Sequence, residues 1–304
     1  MIAAKDLGRI VFGCGNFGGL GSSPDLRDKG DGRERALALL DHARAAGITR
    51  FDTANTYGGG FSEQVLGDWL RLQDGAFRAR IQVATKVGNP HGCPPGDTPL
   101  SRGQVADHLD GSLRRLGLDR IDLYYIHEFD RVTPLDETLE AFDRALAQGK
   151  IGAFGISNAR FTDLQAVLTL AGGGALRAAF TTLQNEFNLL RQGDLRDVIP
   201  LAEAEGISYV AFSPLAGGLL SGKYQEGRRA VPGTRMGDAP QFFEDLLTPA
   251  TFEAIVALRQ RAADNGWPMP AAALRSILDA PGALSLIVAP RSVQQFDGYG
   301  LAAD

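Results

Sequence analysis

Three polar residues each end a short segment rich in Val, Ile, Phe and Tyr, and a tyrosine follows the first of them. Asp52, Lys86 and His127 end three consecutive segments of this kind, and Tyr57 lies five residues beyond Asp52 in a loop that runs into three glycines. Neighbouring strands of a sheet lie about 4.8 Å apart. If the segments are adjacent parallel strands, the four side chains are within reach of one another, which predicts one polar site.

The chemistry that this set could perform is proton donation to a substrate oxygen. A free tyrosine has a pKa of about 10 and is a poor donor at neutral pH. We expect the ammonium group of Lys86 to stabilise the phenolate of Tyr57 and lower its pKa, and Asp52 to keep Lys86 charged. His127 would orient the oxygen as a second donor. Carbonyl reduction needs such an acid, because the alkoxide that forms must be protonated.

Each of these residues also has a simpler interpretation when taken alone. Asp52 and Lys86 could form a structural ion pair, since such pairs also perturb pKa values. A single histidine is often only a hydrogen-bonded polar residue, and Tyr57 could be a loop aromatic. Their occurrence at successive strand ends favours a functional site.

Eight predicted strands alternate with predicted helices along the chain. The strands are expected at residues 10–12, 48–52, 81–86, 121–127, 151–156, 178–183, 207–212 and 284–288. The helices are expected at residues 33–46, 62–72, 101–116, 135–148, 161–170, 193–205, 251–265 and 270–279. Because no linker separates two halves, we predict a single-domain α/β protein, a (β/α)8 TIM barrel over residues 1–304, with functional groups at the C-terminal ends of its strands.

A doubly wound sheet with a dinucleotide fingerprint is the rival fold. Residues 13–18, GCGNFG, match G-x-G-x-x-G by their letters. Residues 20–32 contain Pro24 and three glycines, so no helix is expected to begin at the motif, as phosphate binding would require. The barrel is therefore favoured.

Composition and charge exclude several classes of partner. The net charge of −5 gives no electrostatic reason to expect nucleic acid or an anionic membrane surface. Cys14 and Cys93 have no metal-type spacing, nor have the remaining histidines, so we expect reduced thiols, no metal site and a cytoplasmic location. The first residues lack a signal-peptide core, and no apolar window approaches the ~18 residues of a membrane span.

Several sequence blocks, in order and over nearly the whole chain, resemble the aldo-keto reductase superfamily. They are FDTANTYG from residue 51, ATKVG from 84, SLRRLGLDRIDLYYIH from 112, GKIGAFGISN from 149, LQNEFNLL from 183 and FSPLAGGLLSGKY from 212. The resemblance implies a catalytic tetrad of Asp52, Tyr57, Lys86 and His127. It also implies NADPH as hydride donor, bound in an extended form across the mouth of the barrel.

The resemblance further implies which residues hold NADPH, at the ends of the later strands. The nicotinamide end would contact Ser157, Asn158, Gln184 and Phe212. The pyrophosphate would contact Ser213, Pro214, Leu215, Gly217, Lys223 and Arg235. The adenosine end and its 2′-phosphate would contact Arg291, Ser292 and Gln295, where an arginine suits a phosphate because it pairs bidentately.

Two departures from the family pattern concern the same cofactor. Cys14 and Gly15, which we expect beside the cofactor, stand where the family often has Thr-Trp, so the substrate pocket loses a large wall. Gly298 and Tyr299 stand where many members have Glu-Asn against the adenine, which predicts an adenine end that is held differently.

The leading hypothesis is therefore an NADPH-dependent oxidoreductase that reduces small aldehydes or ketones to alcohols, with Tyr57 as general acid. The alternative is a slow-turnover, NADPH-binding regulatory subunit that resembles channel-associated members of the superfamily. A barrel that uses a divalent metal is a third hypothesis, which the absence of a ligand cluster at the strand ends disfavours. The sequence does not predict the substrate or the oligomeric state.

Overall fold

The strands of this chain form a closed parallel barrel in sequence order. The computed structural model describes residues 4–93, 96–224, 232–282 and 284–301. The strands are β1 (Ile10–Gly13), β2 (Arg50–Asp52), β3 (Gln82–Val87), β4 (Ile121–Ile126), β5 (Ile151–Ser157), β6 (Phe180–Glu186), β7 (Ser208–Phe212) and β8 (Ser285–Val288). β8 pairs in parallel with both β7 and β1, which closes the barrel. The predicted (β/α)8 architecture is confirmed.

Helices follow the strands around the outside of the barrel. They are α1 (Arg33–Ala45), α2 (Phe61–Arg71), α3 (Gly75–Arg78), α4 (Arg102–Leu116), α5 (Leu135–Ala147), α6 (Phe161–Ala171), α7 (Ala175–Ala179), α8 (Val198–Ala204), α9 (Arg235–Asp238), α10 (Pro249–Asp264), α11 (Met269–Leu278) and α12 (Val293–Asp297). Short 3-10 helices occur at Ala4–Arg9, Pro24–Leu26, Tyr57–Gly60, Pro90–Gly92, Gly193–Leu195, Ala216–Ser221, Pro240–Phe242 and Glu244–Leu246.

The main hydrophobic core lies between the barrel and the ring of helices. Successive side chains of a strand point to opposite faces, so every second strand residue faces the helices. Phe51 of β2 packs on Trp69 of α2 with ring centroids 5.0 Å apart. Tyr124 of β4 stacks on Phe142 of α5 at 5.4 Å. The strand residues that alternate with these face into the barrel. Asp52 therefore points inward, because its neighbour Phe51 points toward the helices.

Two predicted elements differ most clearly from the structure. The helix expected at residues 193–205 is divided into the 3-10 helix Gly193–Leu195 and α8. Pro200 explains the division, because proline is tolerated in the first turn of a helix but breaks its interior, so α8 must begin shortly before it. The strand expected at residues 178–183 is shifted to Phe180–Glu186, because α7 occupies the preceding residues.

As the sequence predicted, no helix begins at the glycine motif after β1. Phe17 forms an isolated parallel bridge with Asp31, and α1 starts only at Arg33. The closed barrel excludes the doubly wound sheet. None of the helices in the described part of the chain has the combined length and apolar character that crossing a bilayer requires.

Candidate active site

The four residues of the predicted tetrad converge at the C-terminal end of the barrel. Asp52 is the last residue of β2, Lys86 lies near the end of β3 and His127 directly follows β4. Tyr57 begins a tight 3-10 turn in which Gly58 has φ of +57°. A side chain on Gly58 would come within 2.5 Å of the carbonyl oxygen of Phe17, so only glycine lets the loop turn back here.

Lys86 connects the acid to the tyrosine. Its side chain is fully buried, and its ammonium group forms an ion pair with Asp52. The same Nζ donates to the carbonyl oxygen of Thr53 at 2.8 Å and to the hydroxyl of Tyr57 at 3.4 Å. The three donors of the ammonium group are thereby directed at three acceptors, which fixes its position below Tyr57.

His127 lies against the ring of Tyr57. The two ring centroids are 5.6 Å apart and the planes are nearly perpendicular, at 83°. The backbone N–H of His127 donates to Val87 at 2.7 Å, and its carbonyl accepts from the amide of Asn158 at 3.0 Å. Its Nδ1 is buried and has no hydrogen-bond partner within the described residues. The imidazole is thus held by its backbone.

The pKa of Tyr57 lies above the ordinary value for tyrosine. Burial is the main cause, because it disfavours the charged phenolate, and Asp52 adds to it. Lys86 does act in the expected direction, as does Arg235 more weakly, but neither outweighs burial. The phenol of Tyr57 is therefore protonated at neutral pH.

The pKa values of Lys86 and His127 are shifted in opposite directions. Burial by itself would lower the pKa of Lys86, but Asp52 and Tyr57 together raise it, so the ammonium group stays charged. The pKa of His127 lies well below its usual value, first because the ring is buried and second because Lys86 is close. The imidazole is neutral at pH 7 and has one N–H to donate.

The structure adds a contact that the sequence did not reveal. Nε2 of Gln184 donates to Oδ2 of Asp52 at 2.9 Å, so the two carboxylate oxygens are held by different partners. Gln184 was expected only at the nicotinamide. Tyr125 is also near, with its ring 5.9 Å from Nζ of Lys86. The period of two along each strand is the signal that could have placed both side chains inside the barrel.

Two of the residues expected at the nicotinamide lie directly beside the tetrad. Ser157 is buried at the end of β5, and Asn158 follows it with φ of +53°. The amide of Asn158 donates to His127 and, at 3.3 Å, to Oγ of Ser157. The backbone N–H of Asn158 donates to the carbonyl of Gln184 at 3.1 Å. These residues form one continuous polar edge with the tetrad.

The residues expected at the pyrophosphate follow β7. Phe212, which was expected at the nicotinamide, is half-buried at the end of the strand, and Ser213 after it has φ of +52°. The carbonyl of Ser213 accepts from the amide of Asn188 at 3.1 Å. The segment then continues through Pro214 (buried) and the half-buried Leu215 and Gly217.

Two cations of the long loop after β7 form no ion pair with any residue that the structure describes. Neither Lys223 nor Arg235 has a side-chain hydrogen bond or ion pair with any residue that the structure describes. Lys223 is exposed, with its Nζ 5.1 Å from the ring centroid of Tyr224. Arg235 is half-buried and close enough to affect the pKa of Tyr57. Both charges are available for an anion.

The three residues expected at the adenosine end are occupied by one another and by the loops. Arg291 donates to the carbonyl of Gly233 at 3.2 Å and to that of Lys29 at 2.9 Å. Oγ of Ser292 accepts from the N–H of Gln295 at 3.1 Å and caps α12. Arg291 also lies 3.7 Å from the buried carboxylate of Asp31, so a phosphate there would compete with that carboxylate as well as with the two carbonyls.

Cys14 and Gly15 differ in their relation to the site. Cys14 is fully buried in the main core, and burial raises the pKa of its thiol well above the usual value. Its thiol is close enough to Asp52 and Lys86 for both charges to affect its pKa, and its carbonyl accepts from Oγ of Ser62 at 2.9 Å. Gly15 does border the site: a Cβ there would lie 3.5 Å from the ring of Tyr57.

Known proteins resemble this chain over most of its length. The model of the Aldo/keto reductase family matches residues 9–299. Uncharacterized oxidoreductase YrpG of Bacillus subtilis is 34% identical over 299 residues, which cover 94% of this chain and 84% of the relative. L-glyceraldehyde 3-phosphate reductase of Escherichia coli is 31% identical over 273 residues, 87% of this chain and 77% of the relative. A probable voltage-gated potassium channel subunit beta of Oryza sativa subsp. japonica is 33% identical over 195 residues, 64% of this chain and 58% of the relative.

Proposed function

Because this chain belongs to the aldo/keto reductase family, we propose that it is an NADPH-dependent oxidoreductase that reduces aldehydes or ketones to alcohols, with Tyr57 as general acid. The observation that carries the proposal is the contact of the buried ammonium group of Lys86 with both Asp52 and the hydroxyl of Tyr57. His127, edge-on to the tyrosine ring, completes the arrangement.

The residues around the tetrad fit NADPH. Asn158 and Gln184 offer amide groups to a carboxamide, and Lys223 and Arg235 offer two positive charges to a pyrophosphate. Arg291 can accept a 2′-phosphate once its bonds to the carbonyls of Lys29 and Gly233 are exchanged. When bound, the nicotinamide supplies a hydride to the carbonyl carbon.

The residues of the tetrad carry out the proton transfer. The phenol of Tyr57 is protonated at neutral pH and gives its proton to the substrate oxygen as negative charge develops there. Lys86 stabilises the phenolate that remains, and Asp52 keeps Lys86 charged. The neutral imidazole of His127 donates a hydrogen bond that orients the substrate oxygen and stabilises its charge.

The test is the loss of NADPH absorbance with a panel of carbonyl compounds. The panel should include neutral aldehydes, ketones and phosphorylated aldehydes, because one relative is named for a phosphorylated substrate. We expect at least one class to be reduced, with no need for an added metal ion. Matched assays with NADH would show the cofactor preference.

The second candidate function is a cofactor-binding regulatory subunit, which the similarity to a probable potassium channel subunit favours. It predicts tight NADPH binding, measured by quenching of protein fluorescence, together with no reduction of any compound in the panel. That combination would contradict the enzyme proposal.

A further inference from the structure

A cavity lies inside the barrel, beneath the tetrad and toward the N-terminal ends of the strands. Its volume is about 220 Å³, and β1 to β7 all contribute to its wall. Asp52 and Gln184 form its upper end, and Arg50, Gln82 and Ser208 belong to its lower end. Strand register explains this order, because Arg50 pairs with Gln82 one layer below Asp52.

Exposure to solvent decreases from the lower end of this cavity to the upper end. Gln82 and Ser208 are exposed, and Ala153 is half-buried, although all three lie on barrel strands. Asp52 and Gln184 are buried. The cavity therefore opens toward solvent at the floor of the barrel and ends at the carboxylate of Asp52.

The lining of the cavity favours water. Residues of β1, β7 and β8 form an apolar cluster on one side of the barrel interior, with Val11, Val210 and Ile287 as its buried members. The rest of the cavity wall includes inward-facing polar residues, among them Arg50, Gln82, Thr182 and Gln184. Polar cavities of this size hold ordered water, since buried polar groups need hydrogen-bond partners, whereas apolar cavities stay dry.

The charged and titratable groups around the cavity differ in their hydrogen-bond partners. Oδ2 of Asp122 accepts from the backbone of Val83 at 2.8 Å. Arg50 donates to Oγ of Ser285 at 3.4 Å. Tyr125 also lines the cavity, and burial raises its pKa further above the usual value, so it stays neutral. Among the described residues that border the cavity, Asp52 is the one that forms an ion pair with Lys86.

We propose that a chain of water molecules in this cavity carries protons between solvent at the barrel floor and Asp52, and that Lys86 passes them on to Tyr57. This inference rests on the proposed function, because the proton supply serves the reduction in which Tyr57 acts as the acid. In each reduction Tyr57 loses its proton to the substrate oxygen, and bound cofactor and substrate cover the mouth of the barrel. The replacement proton then arrives from the opposite side.

The step balances without any electron transfer. The O–H bond of Tyr57 breaks as the alkoxide gains the proton, and a proton from the ammonium group of Lys86 restores the phenol. Neutral Lys86 regains a proton through Asp52 from a hydronium ion at the end of the water chain. One proton per turnover is taken from solvent, and the reverse reaction releases one by the same route.

The test fills the cavity and follows the ammonium protons of Lys86. In the NADPH complex of protein labelled with 15N-lysine, NMR measures their exchange with solvent, and Lys86→Met identifies the signal. Ala153→Leu places a larger apolar side chain in the cavity wall and is expected to slow the exchange at least tenfold. Ala153→Ser, which keeps the wall small and polar, and Ala147→Leu, on the exposed end of α5, should leave it unchanged.

This readout separates the inference from the proposed function, since it needs no turnover. An exchange rate that is unchanged in Ala153→Leu, with the cavity filled in a crystal structure, overturns the water chain. Ser208→Leu at the floor provides a second variant if Ala153→Leu does not fold. An inactive protein whose Lys86 exchange depends on Ala153 would contradict the proposed function and support the water chain.

For the active enzyme a kinetic measurement adds a second criterion. Ala153→Leu should lower kcat several-fold and raise the solvent deuterium isotope effect on kcat, with the NADPH dissociation constant unchanged. A lower kcat without a change in the solvent isotope effect would indicate a merely structural effect and would contradict the proposal.

Discussion

The proton affinity of the site residues is decided by their burial. Burial shifts the pKa values of Tyr57 and His127 in the directions that favour their neutral forms. Lys86 stays charged because Asp52 and Tyr57 offset the effect of burial on its pKa. The site therefore combines a protonated phenol, a neutral imidazole and a buried cation. This is the combination that protonation of an alkoxide at neutral pH requires.

Tyr57→Phe should remove the proton donor and leave the rest of the site nearly unchanged. We expect kcat to fall by about 100-fold or more, the usual range for a general acid, with NADPH affinity nearly unchanged. Steady-state kinetics and a binding titration are the measurements. Tyr124→Phe is the matched control, because its hydroxyl is buried against the helices without a hydrogen-bond partner among the described residues. Wild-type turnover in Tyr57→Phe would refute the assignment.

His127 should make the folded protein sensitive to mild acid. Its folded-state pKa lies below the unfolded value of about 6.5, so below that pH the unfolded chain binds the extra proton and stability falls. The loss is at most about 1.4 kcal/mol per pH unit. His127→Gln should lose less stability than the wild type between pH 6.5 and pH 5, as measured by urea unfolding.

His91→Gln, at an exposed position, is the control for this comparison. It should follow the wild-type pH dependence. If His127→Gln also does so, the imidazole is not held in its neutral form by the fold.

At the scale of elements, one carboxylate joins the loop after β4 to the start of α6. Asp163 accepts from Nη2 of Arg131 at 2.9 Å and from the backbone N–H of Arg160 at 2.8 Å. Burial would raise the pKa of Asp163, but hydrogen bonds from the two arginines lower it to about 2. This loop directly follows His127, so the contact fixes one border of the site.

Asp163→Asn should lower the free energy of unfolding at neutral pH by about 1–2 kcal/mol. A carboxylate whose folded pKa is depressed contributes stability above the unfolded pKa of about 3.9 and loses it as the pH falls toward the folded value. The difference from wild type should thus shrink below pH 4. Asp136→Asn, the same change at an exposed position of α5, should have little effect. Equal stabilities of Asp163→Asn and wild type at pH 7 would contradict the account.

For the whole molecule, the ring of helices depends on close backbone contact between α2 and α4. Gly67 of α2 faces the end of α4, where a methyl group would come within 2.4 Å of the carbonyl oxygen of Arg115 and 2.7 Å of that of Leu116. Gly103, within α4, has no atom within 4 Å of such a methyl group. One glycine is therefore required by packing and the other is not.

Gly67→Ala and Gly103→Ala should change stability in opposite directions. Gly103→Ala should stabilise by about 0.5–1 kcal/mol through helix propensity. Gly67→Ala should destabilise by about 1–3 kcal/mol, because the helices must separate. Thermal unfolding of the two variants is a direct comparison, and a more stable Gly67→Ala would show that α2 and α4 are not in close backbone contact at this position.

The local pattern of the sequence determined the barrel and the residues at its strand ends. Alternation of apolar segments with helical periods fixes which residue ends each strand, and parallel strands bring Asp52, Lys86 and His127 together. Only the tertiary structure decided how these groups behave. The raised pKa of Tyr57 depends on burial by surrounding elements, and the bond from Gln184 to Asp52 joins residues 132 positions apart. The carbonyl partners of Arg291 and the cavity below Asp52 likewise arise from contacts between distant segments, which local sequence periods do not encode.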